Sequence, residues 1–550
     1  MAKDSLIKGT VILAAAALVA RFLGLIQRIP LQNMLGDEGS SPYGVAYNVY
    51  FMLLIVATAG IPSALSKMVS EKLALEQVGE ARRIYRAAVM FAVTAGVVIT
   101  AVLMIGAPFY AEHIANNPES ALSIQALAPA MLLFPLIAMM RGYFQGHQQM
   151  MPGGLSQIFE QILRVATAVL LAFVILRLGY SKEWAAAGAS FGGVAGAVGA
   201  FVVMLYYQRK LNKEEKAMVA ARAKSESTSG SAAPMPFKEI YRAIFKLSVP
   251  ISLISMAVPL VYFIDSSIVI RLLKGSIGLT EATEALGVLT MRAQSIAGIP
   301  PIVAIALSTS IVPVVSAAYA KKDQLEVNHK ASQALRISII SGLPIVIAMG
   351  VAARPLNGLL FQDLNGTGII FWMIIGSIFQ IMMMTSASIL MGLGQTRAPM
   401  WNVFVGIIVK LAGSFLLAPF FGMNGIIWST TLCFLVTMIL NLQVLKKTVN
   451  YRVLGKRWKG YILTTMLITA AGFGVEWLTH EWLHTGIRKL DYLLAGGITG
   501  GMTLLLYPVL LGMFRALTLE DIQMLPGKIR RRIEPLAAKW LPKEKAMEQN

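Results

Sequence analysis

Fourteen stretches of about 20 apolar residues, each long enough to cross the hydrocarbon core of a bilayer, run through the 550-residue chain. Six lie near 8–29, 43–66, 87–109, 122–144, 153–176 and 184–207. Six more lie near 247–270, 286–314, 336–353, 367–393, 400–419 and 424–445, and a last pair near 461–478 and 491–513. Backbone polar groups inside lipid must be satisfied within the chain. The expected fold is therefore an all-α polytopic membrane protein with 14 transmembrane helices. The first stretch is not read as a signal peptide, because Arg21 follows the small apolar run Ala14 to Ala20 instead of preceding it.

Composition agrees. Apolar residues make up 56% of the chain, charged residues 14%, and mean hydropathy is +0.66, which excludes disorder; the single Cys433 excludes a disulfide scaffold. The net charge of +20 is an orientation signal. With both ends inside, the cytoplasmic segments carry 35 of the 48 Lys and Arg, the outer loops 8, and the spans five: Arg21, Arg141, Arg164, Arg292 and Lys410. The chain is expected in the bacterial cytoplasmic membrane, N-in and C-in. No nucleic-acid partner is needed to explain its basicity, although anionic lipid heads suit it.

An offset of 246 residues aligns the two halves: Val69-Ser70 on Val315-Ser316, Ala74 on Ala320, Gly146 on Gly392, and Ile162, Arg164, Ala166, Leu170, Leu171 on Ile408, Lys410, Ala412, Leu416, Leu417. Each half has six spans that start inside, so the repeats are parallel, a plan common among secondary transporters with the site between halves. The expected organisation is an N-lobe over 1–210, a cytoplasmic linker over 211–240, a C-lobe over 241–447, two further helices over 448–515 and a basic tail over 516–550. The linker is Lys/Glu-rich, then rich in Ser, Gly, Ala and Pro, and is read as flexible. The tail, with Arg530-Arg531-Arg532, reads as a basic helix at the inner surface.

Intramembrane charges are costly and mark function or internal pairing. Arg21, Asp265 and Arg292 fall at similar depth in the outer half of the membrane, and Arg28 lies seven residues above Arg21 on roughly the same face. Three arginines against one aspartate predict a cationic chamber that suits an anionic substrate. Glu160 and Arg164, four apart, face the same way and either neutralise each other or serve the site. Lys410 has Gly406 and Ser414 at i±4 and needs a partner from another helix, a lipid phosphate or substrate. Arg141, near the inner end of its span, is expected to snorkel. Asn402 makes an interhelical hydrogen bond or, with Asp265, an oxygen-rich cation site.

His480-Glu481-Trp482-Leu483-His484 matches H-E-x-x-H. A catalytic zinc wants a third ligand; Asp491 comes seven residues later and no other acid before Glu520, so no metal site is expected. His113, His147 and His329 read as surface loop residues. Gly192 and Gly196, like Gly496 and Gly500, give small-xxx-small spacings for close helix approach. Pro62, Pro250, Pro259, Pro300, Pro301 and Pro313 allow bent helices.

The segment Ala20-Arg21-Phe22-Leu23-Gly24, then Gln27-Arg28, Leu35-Gly36 and Thr290-Met291-Arg292, resembles the lipid II flippases (MurJ) of the MATE-like flippase superfamily. Ile158-Phe159-Glu160-Gln161-Ile162-Leu163-Arg164 and the longer loops look most like the Gram-positive, YtgP-like branch, with the sporulation protein SpoVB and polysaccharide flippases as relatives. The second-span stretch Leu53-Leu54-Ile55-Val56 is apolar where the family carries an arginine, and Gln27 stands where it carries another, with Arg28 next.

The resemblance implies two MATE-like six-helix lobes, a last helix pair forming a groove for the lipid tail, and no enzyme chemistry. Substrate-binding residues would be Arg21, Arg28 and Arg292, with Asp265 and Asn402 coupling or gating and Glu160, Arg164 and Lys410 as secondary candidates. It implies a lipid II flippase acting as a monomer without cofactor, driven by Na⁺, H⁺ or the membrane potential, in contact with a peptidoglycan synthase. The alternatives are a flippase for another polyprenyl-linked polysaccharide, a MATE-type exporter and a membrane metalloprotease.

Overall fold

The computed structural model describes residues 6–58, 60–223 and 235–517, all in helices and short connections, with no strand among them. Ten of the helices are long and apolar enough to cross a membrane, or up to eleven when one bent pair is counted as a single span. Contacts divide the chain into two compact units: Met1–Met291 with Ser414–Ile426, and Arg292–Gly413 with Ile427–Asn550.

The first unit opens with α1 (Leu6–Thr58), whose 53 residues would run about 80 Å if straight, far more than a bilayer core of about 30 Å. The chain folds at Gly36, which takes φ 72°, ψ −177°, a conformation open to glycine and strained for other residues. Then come α2 (Ile61–Ala74), α3 (Val78–Phe109) with a π-helical turn at Tyr110–Ile114, α4 (Ser120–Leu127), α5 (Ala130–Gly146), α6 (Met151–Arg177) and α7 (Lys182–Ala223). They are followed by α8 (Phe237–Ser255), α9 (Ala257–Ile277) and α10 (Leu279–Gly287).

Packing here follows membrane rules. α3 buries Ala81, Ile84, Ala88, Ala92 and Gly96 and exposes Val97, Val102, Ile105 and Phe109. Close approach of small residues holds the helices together, and the large apolar side chains face outward. The same logic acts where α7 lies on α6: a Cβ on Gly192 would stand 2.7 Å from the Arg164 carbonyl oxygen, and one on Gly196 2.7 Å from that of Glu160. Gly496 and Gly500 meet nothing closer than 3.5 Å, so only the first pair needs glycine.

The linker expectation needs correction over its first part, because α7 continues to Ala223 through a stretch rich in Lys, Glu and Ala, all good helix formers. Residues 224–234 and the tail from 518 onward, with Arg530–Arg532, lie outside the described residues.

The second unit holds α11 (Gln294–Ala297), α12 (Pro301–Ala320), α13 (Gln324–Val351), α14 (Ala353–Leu360), α15 (Thr367–Gly392), α17 (Trp458–Trp482), α18 (Arg488–Met513) and most of α16 (Arg397–Thr448). α16 breaks at Gly422 (φ 55°, ψ −132°), and a Cβ on Gly406 would meet Thr437 Oγ1 at 2.1 Å, so its two arms return alongside each other. Spans read as continuous near 247–270 and 286–314 are broken. α8 and α9 bend by 55° at Met256, and the second span splits into α10, a π-helical turn at Val288–Ala293, α11 and α12. Prolines explain both breaks. The rings of Pro259 and Pro301 clash with the carbonyls four residues back, at Ser255 and Ala297, where α8 and α11 end.

Contacts recur at the 246-residue offset. In the first unit a Cβ on Gly146 would touch Val69 Cγ1 at 2.7 Å and the Ser66 carbonyl oxygen at 3.0 Å. In the second, one on Gly392 would touch Val315 Cβ and the Val312 carbonyl oxygen, each at 3.1 Å.

Candidate functional site

The fold at Gly36 turns the second arm of α1 back along the first. Gln27 Nε2 donates to Tyr43 Oη at 2.9 Å, and the Arg28 guanidinium lies 4.5 Å from the centre of the Tyr47 ring. Arg28 Nη1 also donates to the Thr290 carbonyl at 3.0 Å. Tyr43, Tyr47, Tyr50 and Phe51, spaced to share a helix face, form a ladder with ring centres about 6 Å apart. The sequence reading missed this aromatic strip, although its i, i+4, i+7 spacing was there to be read. Arg21 stands on α1, and its side chain lies outside the described residues.

The second arm of α1 is tied to α9 and α10. Asn48 Nδ2 donates to Ser266 Oγ at 2.7 Å, and from the π-helical turn after α3 Tyr110 shares a 2.8 Å hydroxyl hydrogen bond with the next serine, Ser267. A Cβ on Gly44 would fall 2.0 Å from Thr290 Oγ1, and one on Gly287 1.9 Å from the Asp37 carbonyl oxygen. Asp265, 2% exposed, is the neighbour of these two serines on α9.

Arg292, also 2% exposed, sits in the π-helical turn at the start of the second unit. Such a turn re-aims a side chain and recurs at functional positions. Its guanidinium makes a two-pronged pair with Asp363, Nη1 to Oδ1 at 2.7 Å and Nη2 to Oδ2 at 3.2 Å, and lies 5.1 Å from the centre of the Phe361 ring. The hydrogen bonds from Arg292 hold the Asp363 carboxyl below its ordinary range. The sequence reading gave the arginines Asp265 as their only acid; the structure gives Arg292 its own carboxylate, from a loop 71 residues away.

Asn402 Nδ2 donates to Asn441 Oδ1 at 2.9 Å, and Asn441 reaches the Met383 carbonyl and Ser386 Oγ. This is the interhelical hydrogen bond expected of Asn402, within the second unit, whereas Asp265 belongs to the first. Fully buried Lys410 donates to Ser429 Oγ at 3.0 Å across the α16 hairpin.

Glu160 and Arg164 pair at 2.6 Å, as their spacing predicts. The snorkelling expected of Arg141 is corrected: its Nη2 turns to Glu160 at 2.9 Å and its Nε to Ser156 Oγ at 2.8 Å, because an internal carboxylate is a better partner than a distant interface. Arg164 also donates to Tyr50 Oη at 3.1 Å, so the cluster reaches the aromatic strip.

The H-E-x-x-H segment is not one helical face, since α17 ends at Trp482 and Leu483 is extended. His480 Nε2 stands 2.6 Å from Arg354 Nη2, and no group of three metal-ligating side chains occurs among the described residues. His147 is buried and bonded to the Tyr143 carbonyl, so it is no surface residue; it caps α5.

A family model described as polysaccharide biosynthesis protein matches residues 6–319, and one described as MatE matches 250–416. The chain is 24% identical to the lipid II flippase MurJ of Bacillus subtilis (strain 168), over 87% of this chain and 89% of that one. It is 25% identical to stage V sporulation protein B of the same organism, over 96% and 98%. Among solved structures it is similar to a multidrug resistance MATE family transporter of the MOP superfamily in an inward-facing conformation. That match has 14% identity and a TM-score of 0.62 over 78% of this chain and 96% of that one. A MOP superfamily transporter from Pyrococcus furiosus matches with 14% identity and a TM-score of 0.58, over 80% and 95%. These likenesses establish the MATE-like fold.

Proposed function

Because the chain belongs to the polysaccharide biosynthesis protein family, and is a membrane transporter rather than an enzyme, we propose that it is a lipid II flippase. It carries the undecaprenyl-pyrophosphate-linked peptidoglycan precursor from inner to outer leaflet by alternating access. The observation that carries this reading is the buried Arg292, set in a π-helical turn of a broken helix, in a chain similar along nearly its whole length to a lipid II flippase. Arg21, Arg28 and Arg292 bind the anionic head; Asp265 and Asn402 couple or gate, with Na⁺, H⁺ or the membrane potential as the drive.

The organisation we infer has fourteen crossings, supported by the folds at Gly36 and Gly422. The parallel repeats are supported by the matching contacts of Gly146 and Gly392. In that scheme 1–210 and 241–447 are the lobes, 211–240 joins them, 448–515 holds the lipid tail, and a peptidoglycan synthase receives the product of a monomer.

Expression in cells whose essential lipid II flippase is switched off tests the reading. Growth with lipid II restored to the outer leaflet is expected, lost in Arg292→Ala at unchanged protein level. Failure of the unmodified chain to rescue, while present in the membrane, moves the assignment to another polyprenyl-linked glycan. That second reading is favoured by the match of residues 6–319 to the family described as polysaccharide biosynthesis protein.

A further inference from the structure

Beside the aromatic strip the first unit holds a small, partly open cavity lined by Tyr43, Tyr47, Tyr50, Arg164 and Ser190, with Leu127, Ala189 and Gly193 as apolar wall. Its volume of about 10 Å³ admits one particle of roughly the size of water. The buried charges next to it do not balance: Arg141 and Arg164 both pair with the one carboxylate of Glu160, and all three side chains are at most 15% exposed. A guanidinium does not escape burial by losing a proton, and an uncompensated charge in a membrane interior is costly.

The donors are present as well. Arg164 Nε has no hydrogen-bond partner, although the residue is only 8% exposed. Tyr50 Oη accepts from Arg164 and Tyr43 Oη accepts from Gln27, which leaves each phenol its own O–H to donate.

We propose that this cavity is a binding site for one small monovalent anion of halide size. The anion takes charge-assisted hydrogen bonds from the Arg164 Nε–H and the Tyr43 and Tyr50 hydroxyls and neutralises the Arg141–Glu160–Arg164 cluster. The space is too small for sulfate, phosphate or an organic acid. The site is independent of which glycan is carried.

The test is thermal unfolding of the purified full chain in sodium chloride or bromide, against sodium gluconate and sodium sulfate at matched ionic strength. A saturable, halide-specific rise in unfolding temperature is expected. It should be absent from a Tyr43→Phe/Tyr50→Phe double variant that unfolds like the unmodified protein in gluconate. Crystals grown in bromide should show an anomalous peak in the cavity, a readout that holds even if the double variant fails to fold. Equal unfolding temperatures in halide and gluconate, an undiminished halide effect in a folded double variant, or a water only at that position would each overturn the site.

Discussion

The pair between Arg292 and Asp363 is a buried guanidinium held by an exposed carboxylate, 3% against 55% side-chain exposure. In the proposed function, a substrate phosphate that engages Arg292 must compete with that carboxylate. Since hydrogen bonds from Arg292 lower the Asp363 pKa from its ordinary 3.8, the pair's stabilisation is complete above that value and fades as pH falls through the lower folded-state value. Between pH 5 and 8 it should therefore contribute no pH dependence. Unfolding temperature measured down the acid limb should fall less steeply in Asp363→Asn than in the unmodified protein, and an identical acid limb would show that the pair does not form in solution. Glu160 is the opposite case, a buried carboxylate shared by two arginines. Removing it in Glu160→Gln leaves two guanidiniums facing each other and should cost about 3–5 kcal/mol of stability, read as loss of folded protein in a detergent unfolding assay. A cost near zero would mean that water reaches the cluster.

At the scale of elements, the contact of α1 with α9 and α10 is built from surfaces that leave no room for a methyl group. Asn48 of α1 hydrogen-bonds Ser266 Oγ and the Tyr262 carbonyl of α9, neutral bonds of a kind that can break and remake in a transport cycle. Gly287 faces the Asp37 backbone, which cannot swing aside as a side chain can. Gly287→Ala should thus disfavour this contact by about 1–3 kcal/mol, a population shift of about 5- to 150-fold. Cysteine cross-linking between positions 48 and 266 should drop accordingly, with flipping impaired and expression retained; unchanged cross-linking would show that the contact is looser than its geometry. Sequence reading located much of this architecture. The apolar runs mark the spans and the prolines mark where bent helices are allowed, because ring geometry acts locally. The folds at Gly36 and Gly422 fall in the gaps left between the spans near 8–29 and 43–66 and near 400–419 and 424–445, but which residue makes each turn went unread, as φ > 0 leaves no trace in hydropathy. Arg292, Asp265 and the Glu160–Arg164 pair are visible as charges in apolar runs. Asp363 was not, because an acid in a polar loop looks ordinary until the fold brings it to its arginine.

For the whole molecule, the proposed direction of transport rests on the basic bias of one set of loops. An inside-negative potential favours outward movement of an anionic headgroup by about 2.3 kcal/mol per net charge per 100 mV. It does so only if the Lys- and Arg-rich segments face the cytoplasm, as the positive-inside rule requires. The chain is well suited to a direct test, since its one cysteine, Cys433, is buried and gives little background to a thiol probe. Leu75 and Leu325, 65% and 83% exposed, end or begin helices beside basic segments. Tyr180 and Trp482, 60% and 82% exposed, lie at connections poor in basic residues. In intact cells a membrane-impermeant maleimide should label Tyr180→Cys and Trp482→Cys and spare Leu75→Cys and Leu325→Cys until the membrane is opened. The reverse pattern would place the arginine-bearing depth near the inner leaflet. The potential would then oppose the proposed export, and an ion gradient would have to drive it.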